Sequence, residues 1–328
     1  MIQLPIRFGF HEYFDSQTGE GYGSSDFSWT SSLFLELVYE YYEKDGSGSI
    51  VHGSGNSRAL GKRIIMNQQR RNKVAASRDT GSALMASISD LKNRFYDLER
   101  GLVDYDALRE SPAYARYRDI AASLQGFDLT LLFSPDQKKA FWINLYNTIV
   151  VHGIVELGIR SSVKEVTDFF RNIAYRVGGF SFSADEIEHG ILRANARPPF
   201  RIRRLFSRND PRRSLGLIVA DPRIHFALVC GSRSCAPIDY YAPESIDRQL
   251  ETAAEHFINS SEVLILPERN KIFLSQIFRW YWRDFGKRED LFRFLLKYMA
   301  DQEKAEFLEE HMDTVKVEYL FYDWNLNH

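Results

Sequence analysis

Ser134 to Gly158 reads SPDQKKAFWINLYNTIVVHGIVELG, and it restricts the fold more than any other stretch. Ser134 suits an N-cap, Pro135 has the fixed φ that a first helical turn accepts, and Gly158 is a stop signal. The spacing predicts one long helix between them. At about 100° per residue, Asn144, Asn147, Thr148, Val151 and His152 share one arc, while Trp142, Leu145, Tyr146, Ile149 and Val150 fill the other. A helix that is apolar nearly all round is a core helix, so the rest of the chain must wrap it. Its buried amides and imidazole then need hydrogen-bond partners, at about 1–3 kcal/mol for each failure. Two readings stay open. The asparagines satisfy nearby loop backbone, or the helix aims Asn147 and His152 into a cleft.

The flanking pattern predicts what does the wrapping. LMASISDLKNRFYDLERG reads as a helix ending at Gly101, and SADEIEHGILRANA as a helix capped by Ser183. SIDRQLETAAEHFINS, SQIFRWYWRDFG and EDLFRFLLKYMADQEKAEFLEEH are also helical in pattern. AYRVGGFSFS and EVLILPERNKIFLS read as hairpins, the latter turning at Arg269-Asn270, and VKVEYLFYDWNLN alternates like a strand. RIHFALVC reads as a buried strand running into the loop GSRSCAPIDYYAPE. The expected fold is α+β, mostly helical with a small sheet. An orphan loop-helix segment at 1–44 and a Gly/Ser-rich, basic linker at 45–79 come before a main domain at 80–328. Hydrophobic residues at 44%, charged residues at 26% and a net charge of −2 fit an ordinary soluble protein. No apolar run approaches the ~20 residues that span a bilayer, and no basic-then-apolar leader opens the chain. The basic stretch GKRIIMNQQRRNK lacks interleaved aromatics for stacking bases and is expected to be a solvated, frayed helix. A cytoplasmic protein with no membrane or nucleic-acid partner is expected.

Two resemblances sharpen this. FGFHEYFDSQTGEGYGSSDFSWTSSLFLELV resembles the C-terminal end of (α/α)6-toroid glycosidases, those of glycoside hydrolase family 63 and their trehalase- and mannosylglycerate-hydrolase-like relatives. That resemblance matches Glu12 to the family's general base. Inverting hydrolysis needs a second carboxyl about 6.5–9.5 Å away, and a tail by itself does not enclose a sugar, so a fusion relic is expected. The motifs FWINLYNTIVVHG, SADEIEHGILR, DPRIHFALVCGSRSC and IFRWYWRDF are similar, in order, to those of the domain of unknown function 547 family. Val229 and Ala236 stand where that family usually has Asn and Pro.

The chemistry-bearing residues centre on the only two cysteines, Cys230 and Cys235. Arg233 lies between them and would favour a thiolate. The loop's backbone N–H groups are expected to be free for an anion. If RIHFALVC is extended, His225 lies about 16 Å from Cys230 and is read as a core histidine, leaving His189 or His152 as base. Glu186, one turn before His189, is expected to orient its imidazole, with Arg193 able to compete for the carboxylate. The catalytic reading is a thiol-dependent hydrolase or acyl transferase. It has Cys230 as nucleophile, His189 as base, Glu186 orienting, Asn147 polarising and Cys235 resolving. The other reading is a non-catalytic interaction module with a structural or redox-labile cysteine pair and an arginine-rich surface. Seven arginines in RPPFRIRRLFSRNDPRR, with Arg193, Arg223 and Arg233, suggest an anionic small molecule or protein partner. No metal or cofactor is expected.

Overall fold

The computed structural model describes residues 11–14, 21–25, 63–68, 80–97 and 100–328, with the backbone alone for 11–14, 21–25, 80–82 and 85. The chain divides into two units, Met1–Gly55 with Arg197–Arg203, and Asn56–Ala196 with Arg204–His328. In the first, His11–Phe14 pairs antiparallel with Gly21–Ser25, and Glu12 is on the first strand. The helix expected within the orphan segment at 1–44 and the Gly/Ser-rich stretch lie outside the described residues.

The second unit is α+β and is built around the helix Pro135–Leu157. Its start is a capping box. Ser134 Oγ accepts the Gln137 N–H at 3.1 Å while Gln137 Oε1 accepts the Ser134 N–H at 3.2 Å, so two orphan donors are satisfied reciprocally. Gly158 ends it at φ 62°, ψ 41°, the left-handed conformation glycine adopts without strain. Every residue from Ala140 to Val155 is buried.

Two small sheets flank this core. Ile173–Val177 lies between Ile64–Ile65, to which it is parallel, and Phe180–Ser183, to which it is antiparallel. Ile64–Ile65 belongs to the basic stretch expected to be a frayed helix, and its two adjacent β-branched residues complete a sheet edge instead. In the other sheet Lys271–Leu274 is central, antiparallel to Val263–Leu266 and parallel to Lys316–Tyr319. Asn270, at φ 48°, makes the expected turn. A second apolar cluster gathers under this sheet around Phe226, Phe278, Phe292 and Leu295.

Three expectations need correcting. The helix beginning at Thr80 ends at Phe95, and Gly101 instead turns a short hairpin that pairs Tyr96–Asp97 with Leu102–Val103. RIHFALVC is not a strand: Pro222–Phe226 forms a 3-10 helix, and Asp221 Oδ1 accepts the Arg223 N–H at 3.1 Å. An Asp cap followed by Pro at the first helical position outweighs the alternating pattern. The third concerns Glu186–Leu192, which is a π-helix. Its i→i−5 bonding includes Arg193 N–H to Glu188 O at 2.9 Å.

Gly190 is what lets the π-helix sit where it does. A Cβ there would stand 2.4 Å from the Phe206 ring. Phe206 is buried, and its backbone is gripped by both ends of the Asn195 amide, at 2.9 and 3.1 Å. Gly190→Ala is therefore expected to cost about 1–3 kcal/mol through overpacking. Urea midpoints of variant and wild type check it, and a change under about 0.5 kcal/mol would mean the ring yields freely.

Candidate functional site

The polar face of the central helix acts first as a clamp. Asn147 Nδ2 donates to Ala227 O at 2.9 Å, and its Oδ1 accepts the Val229 N–H at 3.0 Å. One turn earlier, Asn144 Nδ2 donates to Tyr241 O at 2.7 Å, and its Oδ1 accepts the Tyr241 N–H at 3.0 Å. The two amides thus hold both ends of the loop that carries both thiols. Asn147, read as a polarising group, spends its amide on backbone.

That loop is closed over by the C-terminal segment. Arg233 N–H donates to Asn325 O at 2.9 Å, Asn327 N–H to Gly231 O at 3.1 Å, and Ser232 bridges to Leu326. Ser234 N–H reaches Asp323 O and Cys235 N–H reaches Ser232 O. Of the N–H groups expected to be free for an anion, those of Arg233 and Ser234 are spent on this pairing and that of Cys235 within the loop, while the Ser232 N–H faces the Cys230 sulfur. Gly231, at φ 77°, packs so closely that a Cβ would meet Ile154 at 2.5 Å.

Cys230 Sγ lies 3.0 Å from Ser232 Oγ and 3.2 Å from Tyr322 Oη. Cys230 N–H donates to Cys235 Sγ at 3.0 Å, and Cys235 Sγ lies 3.6 Å from Leu228 O. Both cysteines are free and half-buried. Tyr322 belongs to an aromatic group with Trp280 and Trp324, its ring centroid 4.9 Å from each. The Cys235 contact, and then the Ser232 and Tyr322 hydroxyls working against burial, hold the Cys230 thiol well below its ordinary range. The contact with Cys230, together with burial, pushes Cys235 up. The pair therefore releases one proton early and one late.

The histidines sit in other clusters. His189 Nδ1 accepts from Arg193 Nη1 at 2.8 Å, and its Nε2 faces Asp185 Oδ1 at 3.5 Å. The Glu186 carboxylate, expected to orient His189, instead accepts the Ser183 N–H and pairs with Arg63 and Arg212, each at 3.0 Å. The π-helix explains this. Its i→i+5 bonding widens the turn beyond four residues, so Asp185, His189 and Arg193 stack in line while Glu186 splays away.

Arg193 is buried and bidentate to Asp284, at 2.5 and 2.8 Å. The same carboxylate takes His225 Nε2 at 2.9 Å. Tyr281 stacks on His225 at 3.8 Å. Burial raises the Glu188 carboxyl to about 7, with Tyr281 and Tyr146 as hydrogen-bond partners. Arg223 is likewise committed, to Asp221, Asp247 and Glu251. Arg233 is exposed.

His152 is caged by Tyr114, Tyr117 and Tyr175, with its Nδ1 2.5 Å from Tyr175 Oη and its Nε2 3.6 Å from Glu156. The groups around Cys230 Sγ are thus a thiol, two hydroxyls and the Ser232 N–H, not an imidazole. Sequence reasoning missed Tyr322, Asp284, Tyr281 and Glu188. The last three lie inside quoted motifs, and nothing local marks the first.

Residues 131–258 match the model of a family described as protein of unknown function, DUF547. Mannosylglycerate hydrolase of Rubrobacter radiotolerans is 59% identical over 40 residues, which are 12% of this chain and 9% of that protein. The chain therefore spans under a tenth of the curated relative it matches. No solved structure matches. Among the described residues, no helix is long and apolar enough to cross a membrane.

Proposed function

Residues 131–258 being a DUF547 region, we propose that Cys230 and Cys235 form a dithiol–disulfide couple that exchanges two electrons with thiol or disulfide partners. What supports this reading is the set of groups around Cys230 Sγ. Ser232, Tyr322 and Cys235 stabilise a thiolate without a base. A hydrolase would need, in addition, an acid to protonate its leaving group, and the histidines read as candidates are engaged elsewhere. Of the three arginines read as substrate-binding, Arg193 and Arg223 sit within ion-pair networks, and Arg233 is exposed.

In the reducing direction, the Cys230 thiolate attacks one sulfur of a disulfide RSSR′. A Cys230–SR mixed disulfide forms and R′S⁻ leaves. Cys235 gives its proton to R′S⁻ and attacks Cys230 Sγ, forming the internal disulfide and expelling RS⁻. Two electrons pass from the pair to the substrate. A leaving group stabilised as thiolate makes the internal disulfide readily reducible, hence an oxidising couple.

Cys235→Ser is expected to halt at the mixed disulfide, read as a stable one-to-one adduct by intact mass. Wild type is expected to lose both free thiols in one two-electron step across a series of redox buffers. Wild type keeping two thiols at every potential, with no adduct on the variant, would end the proposal.

A further inference from the structure

We infer that the groove beside Cys235 binds the reductant of this couple, a small thiol compound bearing carboxylates. This rests on the dithiol–disulfide reading and names the class of molecule that serves it. The groove has a volume of about 780 Å³, within the roughly 300–1,000 Å³ usual for small-molecule sites. Cys235 is on its wall, at the mouth of the cysteine loop.

Its other walls are unbalanced in charge. Lys92, Arg100, Arg233 and Arg248 line it against the carboxylates of Asp239 and Glu262. Lys92 is taken up by Asp239. Arg233 and Arg248 are exposed and have no ion-pair partner among the described residues. Arg248 opens a stripe along the helix Ile246–Ile258, with Thr252 and His256 following at four-residue steps and also lining the groove. A guanidinium at the loop and another on the helix present two forks to carboxylates, in the groove that Cys235 also lines.

The chemistry follows from which sulfur faces the groove, since Cys235 lines it and Cys230 does not. A thiolate RS⁻ held by the two arginines attacks Cys235 Sγ of the internal disulfide. A Cys235–SR bond forms and Cys230 leaves as thiolate into its cradle of Ser232 and Tyr322. A second RS⁻ attacks the R sulfur, giving RSSR and Cys235 thiolate, which takes up a proton. Two RSH supply both electrons, and of their two protons one stays on Cys235 and one is released.

The test is the reduction rate of the oxidised protein by mercaptosuccinate, 2-mercaptoethanol and cysteamine. Each rate is divided by that of the same thiol with 2-hydroxyethyl disulfide to cancel intrinsic reactivity. Mercaptosuccinate is expected to lead cysteamine by about tenfold at low salt, as attraction into a charged groove raises encounter rates, and the lead should shrink at 1 M salt. Arg248→Glu and Arg233→Glu are each expected to erase or reverse the order. Equal normalised rates for the three thiols, or an order unmoved by both variants, would overturn the anionic site while leaving the couple standing. If no Cys230–Cys235 disulfide forms before reductant is added, the couple itself fails.

Discussion

Tyr322→Phe is expected to shift the pH midpoint of Cys230 alkylation upward by about one to two units. In wild type the thiol is pulled down to about 6 by Cys235 and, against burial, by Ser232 and Tyr322. A hydrogen bond to a charged group contributes about 1.5–3 kcal/mol, and one pKa unit corresponds to about 1.4 kcal/mol. The phenol's other neighbours are Ser232 Oγ at 3.2 Å and the Cys235 sulfur, all within the same cluster, so the ring can stay in place between Trp280 and Trp324. At pH 7 the variant's iodoacetamide rate should fall about two- to tenfold, and at pH 10 the two proteins should converge. The control is Cys235→Ser carrying the same second change, which isolates Cys230 from its coupled neighbour. Superimposable pH profiles would show that the hydroxyl does not face a thiolate, and the proposed couple would lose its leaving group.

The central helix was legible because its signals are local and agree: a cap, a proline, an apolar surface all round, and a terminal glycine. Of the two readings of its polar face, loop clamping is the one its asparagines show. The hairpins at Ile173–Ser183 and Val263–Leu274 were legible for the same reason, as their turns carry Gly178-Gly179 and Asn270. What was not legible depended on partners far along the chain. Tyr322 meets Cys230 across 92 residues, and no periodicity encodes that. At the start of the π-helix Asp185, four residues before His189, faces its ring, while Glu186, three residues before it, turns to Arg63 and Arg212, and the residue spacing alone does not separate the two. At Asp221-Pro222 two local signals conflicted, and the cap prevailed over the alternation.

Asp284→Ala is expected to cost about 3–5 kcal/mol, because it removes the bidentate partner of a buried guanidinium. Arg193 is 2% exposed and is held by Asp284 through two bonds. Removing one partner of a buried pair leaves the other uncompensated. The loss extends to His225, whose Nδ1 has no partner among the described residues and whose Nε2 would lose the Asp284 carboxylate as acceptor. Asp284→Asn, which keeps shape and one acceptor, should cost less. The pH dependence has a definite sign. Burial by itself would raise the Asp284 carboxyl, but His225 and Arg193 hold it well below its ordinary range. A depressed carboxyl contributes stability at pH above its unfolded value, near 4, and loses it as pH falls through the folded value. The Ala variant lacks that contribution at every pH. The gap in urea stability between the two proteins should therefore be widest at pH 7 and narrow progressively below about pH 4. A variant within about 1 kcal/mol of wild type at pH 7, or a gap that does not close toward acid, would mean Arg193 finds its counter-charge in Glu188, whose carboxyl then could not stay protonated up to about 7. The same two curves thus separate a network centred on Asp284 from one centred on Glu188.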